Sequence, residues 1–355
     1  MTIIFLHLKK GVEMKISKAL SLCALSVTVL FGANNLVDKV KQNGISAIPG
    51  SNYELLKIID DPKDPITDAK VELGKKLFFD PRMSRSSIIS CNTCHNLAIG
   101  GTDGVSAAIG HGWTANPHHL NSPTVYNSAF FKAQFWDGRS PHLADQAQGP
   151  VQAGPEMAAP PKLVEERINS IPEYVDEFKV AYGDNVKVSF EKITSTIAIF
   201  EKTLVTPSKF DDFLNGNDNA LSKAEKEGLE VFLDKGCAAC HNGIALGGTM
   251  QPFQVAGKYK FAQVGDFKGD KNGMVKTPTL RNITETAPYF HNGAIWSLKD
   301  AIKEMGSTQL GIAITDAESA KIETFLKALK GRKPAISYPQ LPESTAKTPV
   351  PDAKL

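Results

Sequence analysis

The stretches Cys91-Asn92-Thr93-Cys94-His95 and Cys237-Ala238-Ala239-Cys240-His241 decide how this chain is read. Each is C-x-x-C-H, the attachment signature of a c-type haem. Two thiols at that spacing add to the two vinyl groups of one porphyrin, and the adjoining imidazole folds beneath the ring to bind its iron. At the chain's own residue frequencies the motif is expected by chance about 0.002 times, so two copies are not accidental. A redox disulfide or a four-cysteine zinc site would account for the cysteines, but neither accounts for a histidine at the same offset twice. Cys91, Cys94 and His95 are therefore assigned to one haem, and Cys237, Cys240 and His241 to a second.

Working outward, Glu72 to Asp80 reads ELGKKLFFD ahead of the first motif and Glu227 to Asp234 reads EGLEVFLD ahead of the second, which marks an internal repeat of cytochrome c-like units. Ser222 and Glu225 have capping-box spacing, and Leu229, Phe232 and Leu233 then form a helical stripe that stops at Gly236. Phe190, Ile193, Ile197, Phe200 and Leu204 recur every three or four residues and predict an amphipathic helix closing the first domain. Ser297 with Asp300 and Thr315 with Glu318 repeat the cap pattern, the second opening a helix through Ile322, Phe325 and Leu329 to Gly331. No alternating run is long enough for a substantial sheet. Gly100 to Pro123 and Gly149 to Pro161 read as long loops, and loops of that length are more often functional than idle. The fold expected is all-α: two cytochrome c-like haem domains with long loops, spanning 34–205 and 206–338, followed by an extended or disordered tail, 339–355.

At the N-terminus, Lys15 and Lys18 precede the apolar run Ala19 to Asn34, which contains the small pair Gly32-Ala33. That is the pattern of a secretory signal, too short for a spanning helix, so residues 1–33 are set aside, with Met14 a plausible start. A periplasmic location and no membrane span in the mature chain follow. Removing those residues takes four lysines and one glutamate from totals of 40 Lys+Arg and 38 Asp+Glu, leaving 36 against 37. A near-neutral chain argues against a nucleic-acid partner.

Each iron has one axial ligand assigned, and the sixth positions separate an electron carrier from an enzyme. The histidines left are His111, His118, His119, His142 and His291; the methionines are Met83, Met157, Met250, Met274 and Met305. Met305 lies near the end of a capped helix, and His111 sits between Gly110 and Gly112, where backbone can approach a porphyrin. A peroxidase needs an open iron, an acid/base for the peroxide oxygens and polar donors for the leaving oxygen. The segment after Phe135-Trp136-Asp137-Gly138-Arg139 offers Gln146 and Glu156 for those roles.

From Leu56 to Pro334 the chain resembles the bacterial dihaem cytochrome c peroxidase family, on CNTCHN at Cys91, GHGW at Gly110, FWDGRS at Phe135, DQAQGPVQAGPEM at Asp145, CAACHN at Cys237, VKTPTLRN at Val275, APYFHNGA at Ala287 and KEMGSTQLG at Lys303. The resemblance implies a peroxidatic N-terminal haem with His95 and His111 as resting ligands, and a high-potential C-terminal haem bound by His241 and Met305. It implies that Trp136 lies on the electron path between them, that Gln146 and Glu156 are the active-site pair, and that a calcium ion sits between the domains on Asn121 and the backbone oxygens of Thr286 and Pro288. Hydrogen peroxide, a small donor cytochrome and a homodimer complete the expectation. Three rivals stand beside it: a dihaem electron carrier without catalysis, the related enzyme that matures a tryptophan-derived quinone, which has tyrosine where Met305 stands, and a haem-free zinc module.

Overall fold

The computed structural model describes residues 36–352, and the expected signal segment, 1–33, lies outside the described residues. Among those described, no helix is long and apolar enough to cross a membrane. Six helices position the two motifs: α1 (Asp68–Phe79), α2 (Leu143–Gln152), α3 (Phe190–Lys202), α4 (Lys223–Asp234), α5 (Leu298–Met305) and α6 (Asp316–Lys327). The protein is mostly helical, with one short antiparallel ribbon of β1 (Met250–Pro252) and β2 (Met274–Lys276).

The echo between Glu72–Asp80 and Glu227–Asp234 marks two copies of one helix crossing. α1 packs on α3 and α4 packs on α6. At the crossing point each leading helix carries a glycine: a β-carbon on Gly74 would run into the carbonyl of Thr196, and one on Gly228 into that of Lys321. Only hydrogen at those positions lets the backbones approach so closely. One turn further along, Phe78 meets Phe200 and Phe232 meets Phe325, both with ring centroids 5.3 Å apart. Burying each such ring contributes roughly 1.5–3 kcal/mol. Ser222 and Glu225, and likewise Thr315 and Glu318, form the expected capping boxes, while Ser297 caps α5 through the Asp300 amide.

A longer correspondence, without a gap, matches residues 121–150 to 276–305. Pro123-Thr124 matches Pro278-Thr279, Asn127 matches Asn282, Phe135 matches Phe290, Gly138 matches Gly293 and Leu143 matches Leu298. Asn127 and Asn282 both take left-handed backbone angles, φ 62° and 59°. Their side-chain amides donate to the same hydroxyl, Thr206 Oγ1, at 2.8 and 2.9 Å. Thr206 is buried and stands on the local pseudo-twofold between the halves.

The hydrophobic clusters cross the linear cuts expected from the sequence. The second cluster, largely residues 210–329, also takes in Leu36, Val40 and Ile45, while Ile336 packs on the first. Chain ends thus strap each domain to the other. The tail is extended and held: Arg167 donates to the carbonyls of Pro349 and Val350, and Arg82 to that of Pro342. Pro339 and Pro342 are buried against the first domain. Four prolines and few apolar residues suggested a solvated tail, but fixed φ angles lower the entropy lost on docking, and the arginines supply the bonds.

Three element boundaries differ from the sequence reading. Gly149 and Pro150 lie inside α2, not in a loop, because Ala147 and Val151 face the core, and Gly149 packs beneath the Phe135 ring. Packing overrides propensity there. α3 and α6 stop at Lys202 and Lys327, with Leu204 and Leu329 buried just beyond them.

Candidate haem sites

Both motif histidines are presented in the same way. His95 Nδ1 lies 3.0 Å from the carbonyl of Pro123, and His241 Nδ1 lies 3.2 Å from that of Leu246. A carbonyl can only accept, so Nδ1 carries the proton and Nε2 keeps its lone pair for a metal. Burial depresses the basicity of both rings, that of His241 to about 4, which keeps them neutral as iron ligands must be. The four motif cysteines are free thiols. Burial pushes Cys94 up to about 12 and Cys237 to about 11, the reverse of a reactive C-x-x-C pair. These donors fit thioether-linked haem and do not fit a redox disulfide.

Beside His241 an apolar cavity is walled by Cys237, Cys240, Phe253, Leu326 and Met305. Met305 ends α5 and stands in the wall of the same cavity as His241, as a sixth ligand must. Residue for residue, α2 matches α5. Gln146 therefore takes the place of Ala301, which lines the C-terminal cavity, and Pro150 takes the place of Met305. The first domain has no ligand at the end of that helix.

What the first domain offers instead is loop-borne. Gly110 packs directly on the carbonyl of Pro155, and the His111 amide donates to the Glu156 carbonyl at 2.7 Å. His111 Nδ1 is buried with no hydrogen-bond partner. The Glu156 carboxyl accepts only a long contact, 3.5 Å, from Asn116, and it lies close enough to Cys94 to act on its charge. Burial raises the Glu156 pKa, and Arg139 and His118 pull it part of the way back. Gln146 is half-buried on α2. The structure thus brings His111 and Glu156 together and places Gln146 on the matching haem-facing helix.

Trp136 and His291 occupy matching positions in the two repeats, and their rings meet edge to face at 6.3 Å. The Trp136 indole donates to the Asn121 carbonyl at 2.9 Å, and the ring borders both the C-terminal cavity and a smaller one between the domains. Asn121, Thr286 and Pro288 all line that smaller cavity. The Asn121 amide nitrogen donates to the carbonyls of Pro288 and Phe290, at 2.7 and 3.3 Å. Neutral carbonyl and amide oxygens suit calcium, and the amide would have to turn its oxygen inward to join them. Among the described residues no group of three or more His, Cys, Asp and Glu side chains forms an alternative metal site.

Sequence reasoning missed two buried charged groups. Glu201 on α3 is buried with Oε2 unpartnered, burial pushes its pKa up to about 8, and it stands where the second repeat has Leu326. Lys276 is buried at the end of β2, where the first repeat has Asn121. Setting the two repeats in register would have exposed both.

The di-haem cytochrome c peroxidase profile matches residues 68–219, and the cytochrome c profile matches residues 225–330. A cytochrome c551 peroxidase of Pseudomonas aeruginosa is 48% identical over 301 residues, covering 81% of this chain and 86% of its own length. The methylamine utilization protein MauG of Methylorubrum extorquens is 32% identical over 350 residues, covering 90% and 94%. Among solved structures, a MauG-like protein associated with microbial copper homeostasis superposes with a TM-score of 0.68 at 25% identity, over 79% of this chain and 96% of that one.

Proposed function

Because the chain belongs to the di-haem cytochrome c peroxidase family, we propose that it is a periplasmic enzyme that reduces hydrogen peroxide to water with electrons from a small donor cytochrome. The observation that carries this reading is the inequality of the two haem-facing helices: one ends in Met305, the other in Pro150 with Gln146 a turn before it. When bound, the two haems would supply the redox chemistry, electron storage in the C-terminal domain and peroxide reduction in the N-terminal one.

The chain's own groups do the rest. Met305 would hold the C-terminal haem through its thioether sulfur, a donor that favours the reduced state and suits an electron store. His111, on a loop between two glycines, would be the second histidine to hold the N-terminal haem. Glu156 would hold the proton that passes between the peroxide oxygens, and burial raises its pKa from the ordinary carboxylate value, the direction an acid/base needs. The Gln146 amide would donate to a peroxide oxygen. Trp136, against His291, bridges the domains, and Asn121 with the carbonyls of Thr286 and Pro288 holds calcium beside it. Met305, rather than tyrosine, speaks against the quinone-maturing reading.

Steady-state peroxide consumption with a reduced small cytochrome, before and after prereduction and after calcium chelation, tests the proposal. Donor-dependent turnover that falls on chelation is expected. Slow donor oxidation indifferent to peroxide would point to a plain electron carrier.

A further inference from the structure

Lys276 is 3% exposed, yet its ammonium has no hydrogen bond or ion pair among the described residues. Its one described close neighbour is the face of the Phe131 ring, 4.8 Å from Nζ. The nearest acid to act on it, Asp137, is already paired with Arg139. The side chain borders the C-terminal cavity and the interdomain cavity together, and its charge is felt at His95 across the junction. Its backbone amide donates to the Trp136 carbonyl at 2.8 Å, so its position is fixed by the same residue that joins the domains.

A buried cation without a partner is costly, and proteins retain one where a ligand brings the opposite charge. The wall around it is otherwise apolar: Phe253, Phe290, Leu298 and Ile302 contribute no carboxylate. The chemistry missing from the pocket is an anion, and the pocket's own ligand carries two carboxylates. We propose that Lys276 is the counter-charge for a propionate of the C-terminal haem, holding that carboxylate at the domain junction and raising the potential of the Met305-ligated iron. The register of the repeats adds a second observation: Lys276 matches Asn121, so a lysine stands in one repeat where a residue suited to calcium stands in the other, and burial without a carboxylate beside it lowers that lysine's pKa to about 7. Lys276 acts here as a positioning and electrostatic residue, not as a catalytic one.

The inference rests on the two-haem reading, and the two fail separately. A pyridine haemochrome count of one haem per chain would sink that reading, whereas two haems with unmoved potentials would sink only this inference. In the holoprotein, spectroelectrochemical titration of Lys276→Met should show the C-terminal haem harder to reduce by at least tenfold in its equilibrium constant, about 59 mV for one electron. The N-terminal haem should move less, and Lys276→Arg should restore most of the difference. Lys276→Gln, of similar length and without charge, guards against a folding defect; loss of the C-terminal haem in both neutral variants but not in Lys276→Arg would also support the proposal. Unchanged potentials in the neutral variants, or equal loss of haem in all three, would overturn it.

Discussion

At the end of α5 the second domain carries Met305, and at the same place on α2 the first carries Pro150. Everything beneath that difference is shared: the glycine crossing at Gly74 and Gly228, the Phe78–Phe200 and Phe232–Phe325 pairs, the asparagines on Thr206, and a histidine whose Nδ1 faces a carbonyl. One scaffold has been built twice, and function lies in the few positions where the copies disagree. On the proposed reading the second copy keeps its iron-binding sulfur on a helix, as an electron store needs. The first lacks it, has Gln146 where the second has Ala301, and on the same reading draws His111 and Glu156 from loops.

The largest effect should come from the loop. Glu156→Gln removes the proton carrier while leaving the shape, and peroxidase turnover should fall by about 10²–10⁴ with haem spectra unchanged. Full turnover in that variant would remove the acid/base role. Next, Met305→His should make the two domains alike in ligation and lower the C-terminal potential by roughly 100 mV or more, read by redox titration. A potential that stays put would mean that Met305 is not a ligand.

A smaller difference concerns Glu201 against Leu326. Burial raises the Glu201 pKa from the ordinary carboxylate range to about 8, so the folded chain binds a proton there that the unfolded chain releases above about pH 4.5. That contribution is fully present below the unfolded value and is lost as pH rises through 8. Relative to Glu201→Leu, the wild type should lose stability by about 1.4 kcal/mol per pH unit across that window, measured by denaturant unfolding. Parallel curves would show the carboxyl to be solvated. The smallest contrast should be between Gly74→Ala and Gly228→Ala. Both force a methyl group against a carbonyl and should each cost about 1–3 kcal/mol, by similar amounts, if the crossings are equivalent.

Much of this was legible in the sequence because it is written in spacing. C-x-x-C-H fixes two thiols and an imidazole, a capping box fixes a helix start, and Phe190 to Phe200 fixes a helix face. Less was legible where backbone does the work. The carbonyls of Pro123 and Leu246 that orient the histidines, and those of Thr286 and Pro288 in the interdomain cavity, have no residue signature. The helical Gly149-Pro150 step was hidden because local propensity opposed it and long-range packing prevailed. The crossed termini were hidden because domain cuts drawn along a chain do not show which core a segment will join. Glu201 and Lys276 looked like ordinary charged residues until burial set them apart.

The central claim is that the two haems are unequal in ligation, and stepwise reduction followed by optical and paramagnetic resonance spectra tests it most directly. The account predicts two haems per chain, two separated one-electron steps, and an N-terminal iron that binds added cyanide once the Met305-ligated haem has been reduced. Two irons that stay closed to cyanide at every stage of reduction would contradict it.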